Sequence, residues 1–277
     1  MMSLAKQSNR VGGRRLRSSF GTGRRAANLA VLIIVAVITV EACQNGNSEA
    51  ERASSGRAPA RADIRSDSTG AVAALSSGST EPTQASWSFD STAAGQPPAG
   101  FSFARGGSGS SGRWVVRAAA DAPSAPNILA HEDSNRTSDR FLIAVADSPS
   151  FGNVRVSVRC KLVGGRVDQA CGIVWRYRDQ SNYYVARANA LENNVRFYYV
   201  EKGRRRQLEG WNGQVLSGRW HELRADMRGD HVEVYFNGTK VIDARDSRFP
   251  TAGKVGVWTK ADSRTLFDDL VASPLGV

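Results

Sequence analysis

The alternation between Asn153 and Val163 constrains this chain more than any other feature of its sequence. Valine, cysteine and leucine at every second position alternate with arginine, serine and lysine, so one side of the segment is apolar and the other is basic. Successive side chains of a β-strand point to opposite faces, whereas a helix brings every third or fourth residue to one side. The segment is therefore predicted to be a strand with one face on a hydrophobic core.

Further strand-length runs continue from Ser86 to Ala272, separated by turn signals and without a helical period. The clearest turn is Asn237-Gly238, which joins two apolar runs. Both of its residues readily adopt the positive φ that a two-residue hairpin requires. Many antiparallel strands with this spacing predict an all-β sandwich or barrel.

Two cysteines of this region, Cys160 and Cys171, flank the turn Gly164–Val167. A hairpin centred on this turn places one cysteine opposite the other, and residues directly opposite share a face. The pattern therefore predicts a Cys160–Cys171 disulfide inside the core, whereas a metal site would need further ligands that the three histidines do not supply. The same hairpin assigns to the core Ile173, Trp175 and Tyr177, and it pairs Arg155 with Arg176.

Extending this register through the next two turns brings arginine, tyrosine and asparagine to the face turned away from the core. Aromatic rings stack on the C–H face of a pyranose, and planar donors bind hydroxyls or carboxylates. This face is a candidate carbohydrate site, and a solvated face with arginines for solubility is the alternative. The predicted ligand-binding residues are Arg176, Tyr183, Arg187, Asn189, Arg196 and Tyr198.

The formal net charge of +11 comes largely from the N-terminus. Residues 1–42 hold seven lysines and arginines against the single acid Glu41, so the rest of the chain is only modestly basic. A basic start followed by the apolar run Leu29–Val40 is typical of a signal peptide, and the run is too short to span a bilayer. The charge therefore gives no support to nucleic-acid binding.

The segment Val40-Glu41-Ala42-Cys43 resembles the lipobox of bacterial lipoproteins, with Glu41 departing from the usual small residue. The resemblance implies lipidation of Cys43 and a protein exported to the cell envelope, on the outer membrane or the periplasmic face. An ordinary signal peptide with an incidental cysteine is the alternative. The predicted organisation is a signal peptide (1–42), a disordered tether (43–86) poor in apolar residues, and one β-domain (87–277).

Motifs spread along the β-domain resemble the concanavalin A-like lectin/glucanase superfamily, in the branch with laminin-G-like modules and 3-keto-disaccharide hydrolases. The resemblance implies a two-sheet antiparallel jelly-roll sandwich whose concave sheet carries the ligand groove. Trp258, Lys260 and Asp262 would lie at its rim, with a core position as the alternative for Trp258. The segments that carry the resemblance are Gly172–Asp179, Asn182–Arg187, Trp220–Leu223, Phe236–Gly238, Gly256–Ser263 and Phe267–Leu270.

The resemblance also implies a candidate structural calcium ion on the convex side, held by Asp90, Asp268 and Asp269. Capped turns or surface charges explain these residues as well. Neither binding nor hydrolysis is expected to require a cofactor.

Glycosidases place two carboxylates about 5–10 Å apart across the scissile bond. The predicted concave strands carry no such pair, and the Glu-x-Asp-x-x-Glu run of related glucanases is missing from the sequence. The expected function is therefore an envelope-anchored carbohydrate-binding module without catalytic activity. The alternatives are a hydrolase of 3-keto-disaccharides and a structural envelope protein without a glycan ligand.

Overall fold

A computed structural model of the protein describes residues 82–276, which belong to one compact unit of the chain. The predicted signal peptide, Cys43 and residues 43–81 of the predicted tether lie outside the described residues. No helix among the described residues is long and apolar enough to cross a membrane. Residues 82–276 form fifteen β-strands and no helix.

The strands form two antiparallel sheets. Sheet 1 has the order β13-β12-β11-β6-β15-β4-β3, with β1 pairing β15, and sheet 2 has the order β10-β9-β8-β7-β14-β5-β2. Sheet 1 contains β1 (Ala85–Trp87), β3 (Trp114–Ala118), β4 (Asn127–His131), β6 (Val154–Gly164), β11 (Trp220–Arg228), β12 (His231–Phe236), β13 (Thr239–Arg245) and β15 (Arg264–Pro274). Sheet 2 contains β2 (Phe101–Gly106), β5 (Phe141–Ala146), β7 (Ala170–Asp179), β8 (Asn182–Asn189), β9 (Asn194–Glu201), β10 (Arg204–Asn212) and β14 (Lys254–Lys260).

The first core lies between the two sheets. Alternate side chains of β6 and β11 point into it, and alternate side chains of β8 and β9 meet them from sheet 2. Because this core and the strands that enclose it all lie between residues 85 and 274, the segment carries the interior that an independently folding domain needs. The predicted all-β, two-sheet sandwich is confirmed.

The predicted hairpin between β6 and β7 is wrong, although the predicted disulfide is confirmed. Strand β6 pairs with β11 and β15 in sheet 1, while β7 pairs with β8 and β14 in sheet 2. Cys160 and Cys171 join the two sheets across the core, with their Cα atoms 6.3 Å apart. Arg155 consequently faces Asp226 of β11, with which it forms an ion pair at 2.7 Å, and does not oppose Arg176.

Sheet 2 rolls up on the side that faces away from sheet 1. The guanidinium of Arg205 on β10 lies 4.5 Å from the ring centre of Phe141 on β5. Five strand-to-strand steps separate β10 from β5, about 24 Å if the sheet were flat. The carbonyl oxygen of Gln180, at the tip of the β7–β8 hairpin, likewise lies 3.4 Å from where a Cβ on Gly106 of β2 would sit.

The roll encloses a second core on the outer face of sheet 2. Its buried members come from β5, β7, β8, β9 and β14, and Ala104, Phe141 and Tyr177 pack against them. The open concave groove that the sequence predicted on this face is therefore filled by its own side chains over most of its length. The buried members are Ile143, Val145, Ala170, Val174, Tyr183, Val185, Tyr198, Val200 and Trp258.

Six connections meet at one end of the sandwich, which we call the loop end. They comprise residues 107–113, 132–140, 165–169, 190–193, 213–219 and 261–263. Direct hydrogen bonds join several of them, including Ala190 N–H to Gln169 O at 2.9 Å and Gly213 N–H to Asn193 O at 3.0 Å. The loop end is thus a connected surface on which the edge of the second core opens.

Candidate functional site

Where the outer face of sheet 2 reaches the loop end, apolar side chains give way to a network of charged and amide groups. We call this network the ion-pair cluster. It consists of Asp168, Arg187, Asn189, Glu192, Asn194 and Lys260. Strands β8, β9 and β14 supply four of its members, and the loops 165–169 and 190–193 supply Asp168 and Glu192.

One half of the cluster is built around the buried carboxylate of Asp168. Lys260 Nζ donates to Asp168 Oδ2 at 2.7 Å, and Asn189 Nδ2 donates to Asp168 Oδ1 at 2.7 Å. The side-chain oxygen Oδ1 of Asn189 accepts the N–H groups of Leu191 and Glu192 at 2.9 and 3.0 Å, which fixes the β8–β9 turn. A charge held by two donors in this way tolerates burial that would otherwise be costly.

The other half is built around Arg187, whose side chain is 6 % exposed. Its guanidinium donates to Glu192 Oε2 at 2.7 Å, to the Tyr198 hydroxyl at 3.1 Å, and to Asn194 Oδ1. Burial opposes ionisation of Glu192, but the adjacent Arg187 outweighs it and holds the pKa of this carboxyl below its usual range. The Lys260 ammonium lowers the same pKa, so the two halves of the cluster act on each other.

Arg205 connects the cluster to the second core. Its guanidinium lies over the rings of Phe141, Tyr198 and Trp258, at 4.5, 4.6 and 5.7 Å from their centres. Aromatic faces attract a cation, and the attraction is strongest when water is excluded. Burial lowers the pKa of Arg205 from that of a free guanidinium, and Arg187 contributes in the same direction.

Asp262, which the sequence placed at the rim of a groove, supports the loop that carries Asp168. Its carboxylate accepts the N–H groups of Arg166, Val167 and Asp168 at 2.8, 2.9 and 3.1 Å. Burial opposes ionisation of Asp262, but these N–H donors outweigh it and keep its pKa below the usual range. Asp262 therefore positions Asp168 through the backbone of the loop 165–169.

The structure brings together some of the predicted ligand residues and separates others. Arg187, Asn189 and Lys260 belong to the ion-pair cluster, and Tyr198 is bonded to it. Arg196 lies beside them at the sheet edge, where it donates to Trp211 O at 2.9 Å and to Asn212 Oδ1 at 2.6 Å. Tyr183 and Trp258 lie on the same sheet face but are fully buried in the second core, so neither ring is open for stacking on a sugar.

Arg176 lies at the opposite end of the sandwich. A register shift between Trp175 and Asp179 reverses the alternation of β7, and Arg176 adopts a φ of 46°. Its buried guanidinium donates to the carbonyl oxygens of Gly152, Phe249 and Gly229. The side chain thus joins three loops and is remote from the cluster.

Two of the three carboxylates predicted for calcium lie close together, since the Ser124 hydroxyl oxygen is 3.2 Å from Asp268 Oδ1 and 2.6 Å from Asp269 Oδ1. Asp268 is fully buried and accepts the N–H groups of Ser124 and Asp269 at 2.9 and 2.8 Å, while Asp90 accepts Asn127 N–H at 2.9 Å. Burial raises the pKa of Asp268 to about 6. The calcium site therefore stays a prediction.

Within residues 82–276, one group of three metal-ligand side chains has its ligand atoms within 4.8 Å of one another. This group is His231, Glu233 and Asp243, on β12 and β13. Lys240 Nζ donates to Glu233 at 2.9 Å and to Asp243 at 2.8 Å, so an ammonium group already neutralises the two carboxylates.

Sequence reasoning left Asp168, Glu192, Asn194 and Arg205 out of the candidate site. Arg205 could have been found, because Arg205 pairs with Val200 across the β9–β10 hairpin, and opposite residues share a face. Asp168 lies in a loop between two sheets, and nothing in its sequence neighbourhood indicates that it turns towards Lys260.

The chain matches no protein-family model and no curated protein. The carbohydrate-binding module CBM66 from Bacillus subtilis superposes with a TM-score of 0.50 at 19 % identity, covering 63 % of this chain and 95 % of that one. The cellulose induced protein Cip1 superposes with a TM-score of 0.50 at 14 % identity, covering 70 % of this chain and 99 % of that one. At these identities the similarity concerns the fold, and it agrees with a two-sheet antiparallel β-sandwich as the architecture.

Proposed function

We propose that the domain binds carbohydrate at the ion-pair cluster and does not cleave it. The observation that carries this proposal is the pair of partly exposed charges, Glu192 and Lys260, which buried partners hold in place. The Glu192 side chain is 45 % exposed and that of Lys260 is 18 % exposed, whereas Arg187 and Asp168 beneath them are buried. Fixed donors and acceptors at the edge of a rigid sheet are what a sugar's hydroxyl groups require.

The cluster keeps hydrogen-bonding capacity for a ligand. Both hydrogen bonds to Glu192 within the described residues use Oε2, so Oε1 can accept from a hydroxyl group. Lys260 uses one of its three donors on Asp168. Adjacent hydroxyls of one sugar ring could donate to Glu192 and accept from Lys260, while the exposed Leu191 offers an apolar contact beside them. The fold shared with a carbohydrate-binding module supports the same proposal.

Binding is favoured over hydrolysis by the charge state of the cluster. A glycosidase needs one carboxylic acid that is still protonated near neutral pH. Arg187 and Lys260 lower the pKa of Glu192, so this group is an acceptor and a poor proton donor. Asp168 has both oxygens engaged by Lys260 and Asn189.

Glycan-array binding followed by titration of the best ligand tests the proposal. The Glu192→Gln variant removes the charge but preserves the side-chain shape, and we expect affinity to fall roughly 10- to 100-fold, as when one charge-assisted hydrogen bond is lost. The matched control is Glu233→Gln, which breaks the ion pair of Glu233 with Lys240 on the outer face of sheet 1 and should leave binding unchanged. An array without ligands, or equal losses in both variants, would contradict the proposal.

A product assay separates binding from the hydrolytic alternative. Incubation with a 3-keto-disaccharide should leave the substrate intact. Release of 3-ketoglucose, abolished by Glu192→Gln, would replace the binding proposal with hydrolysis at the same residues.

We also propose that the domain is displayed from the cell envelope by lipid on Cys43. Support comes from the sequence alone, because this residue lies outside the described part of the chain. Metabolic labelling with an alkyne fatty acid should mark the wild-type protein and leave Cys43→Ser unlabelled. Equal labelling of both proteins would contradict lipidation at this cysteine.

A further inference from the structure

Exposed apolar side chains gather at the loop end. Five large hydrophobic residues are exposed within residues 82–276, and four of them, Val163, Val167, Leu191 and Leu216, lie at or beside the loops 165–169, 190–193 and 213–219. Their exposed fractions range from 37 % to 49 %. Single exposed hydrophobic residues are ordinary, but a group on neighbouring loops marks a binding surface.

Hydrogen bonds hold these loops against one another. Asn193 Oδ1 accepts Val215 N–H at 3.1 Å, next to Leu216, and Leu162 O accepts Gly218 N–H at 2.7 Å, next to Val163. The Asp262 carboxylate fixes the loop of Val167. The four apolar side chains are therefore presented by a preorganised support, which lowers the entropy lost when they bind.

Three unpaired arginines accompany this apolar group. Arg166, Arg219 and Arg264 are exposed, and none of them belongs to an ion pair of the described residues. The only acids on the three loops, Asp168 and Glu192, are neutralised by Lys260 and Arg187. The Arg264 guanidinium lies against Gly164, the residue that follows Val163 in the chain.

We propose that the loop end docks on an anionic lipid bilayer, with the four apolar side chains entering the headgroup region and the three arginines contacting lipid phosphates. Apolar side chains that project from several neighbouring loops can insert between lipid headgroups, whereas a protein partner would favour a continuous groove or flat patch. A second copy of this chain would bring three more unpaired arginines to the same surface and be repelled. The docking uses Leu191, which also borders the proposed sugar site, but it does not require a bound sugar.

Co-flotation with vesicles measures this docking directly. The protein is the chain from residue 43 onward carrying Cys43→Ser, so no attached lipid contributes. We expect it to float with phosphatidylcholine vesicles that contain phosphatidylglycerol and not with phosphatidylcholine alone. Replacing Arg166, Arg219 and Arg264 together by Gln should weaken partitioning about 100-fold, since each arginine near an anionic surface contributes roughly fivefold.

The matched control removes the same charge from the β9–β10 turn, at the end of β9 opposite to the loop 190–193. Lys202, Arg204 and Arg206, at and beside the β9–β10 turn, also take part in no ion pair of the described residues. Their triple Gln variant should partition within about threefold of the starting protein, because exposed charges beyond one Debye length are screened. Leu191→Ser with Leu216→Ser should weaken partitioning without changing net charge.

Three results would overturn the proposal. They are failure of the starting protein to float with anionic vesicles, equal losses in the two triple Gln variants, and unchanged partitioning of the double Ser variant. Leu216→Trp supplies a second measurement, since insertion should shift its emission to shorter wavelength when anionic vesicles are added. A vesicle without sugar headgroups is used throughout, so a blank glycan array leaves the result unaffected.

Discussion

Asp268 should make the stability of this domain depend on pH in a direction opposite to that of most carboxylates. The residue is fully buried, and burial raises its pKa to about 6 from an ordinary value near 3.8. The folded protein therefore takes up a proton at higher pH than the unfolded chain does. Stability rises as pH falls through 6, and the gain is complete below the unfolded pKa.

The size of the effect follows from the two pKa values. A difference of about two units corresponds to about 3 kcal/mol, most of which is gained between pH 7 and pH 4. Urea unfolding of wild type and Asp268→Asn, followed by tryptophan fluorescence at several pH values, measures it. From pH 7 to pH 4, the free energy of unfolding of the wild type should rise by about 2–3 kcal/mol relative to that of the variant. Only the change with pH is used, because the amide alters the bonds to Ser124 and Asp269 by a constant amount.

His131 provides a control of opposite sign in the same pH range. It is fully buried, its ring bonds Ser263 O at 2.8 Å, and burial lowers its pKa to about 4 from 6.5. The unfolded chain binds the proton first, so stability present above pH 6.5 is lost as pH falls towards 4, by about 3 kcal/mol. As the pH falls from about 7 to 4, the wild type should lose stability relative to His131→Asn. Over the same interval it should gain stability relative to Asp268→Asn. If the difference in free energy of unfolding between the wild type and each variant did not change with pH, the reasoning would be refuted.

Three further outcomes are expected. Asp262→Ala should lower the free energy of unfolding by about 2–3 kcal/mol in urea, because three N–H groups lose an ionised acceptor, and a loss near zero would mean that the loop 165–169 holds its shape unaided. Cys160→Ala with Cys171→Ala should cost about 3 kcal/mol, from the loop that the bridge closes, and a melting temperature unchanged by reductant in the wild type would contradict this. A calcium chelator should leave the melting temperature unchanged, because backbone N–H groups already donate to Asp90 and Asp268; a drop reversed by added calcium would show that these acids hold the ion.

The period-two pattern determined which side chains point inward but not the strand that each one faces. The side chains of Cys160 and Cys171 point into the core whether their strands pair in a hairpin or face each other across the core. The sequence therefore predicted the disulfide correctly with the wrong strand pairing. The two arrangements differ only in where the chain turns at Gly164–Gln169, and a turn signal is equally compatible with a hairpin and with a passage between sheets.

Two features of sheet 2 explain why the site was predicted only in part. The bulge after Trp175 reverses the alternation of β7, so Arg176 leaves the face that a regular strand would give it. The roll of sheet 2 depends on strand order, which brings β10 over β5, and no local pattern in either strand encodes that contact. Strand β2 was not predicted, since Phe101 and Phe103 give too short an alternation to stand out between glycines.

The second core has a consequence for how this sequence can vary. Along β12, buried positions alternate with partly exposed ones, whereas along β8 every residue after Asn182 is buried. A saturation mutagenesis library should therefore tolerate polar replacements at every other site of β12 and reject them at consecutive sites of β8. Neutral drift would therefore be slower along β8 than along β12.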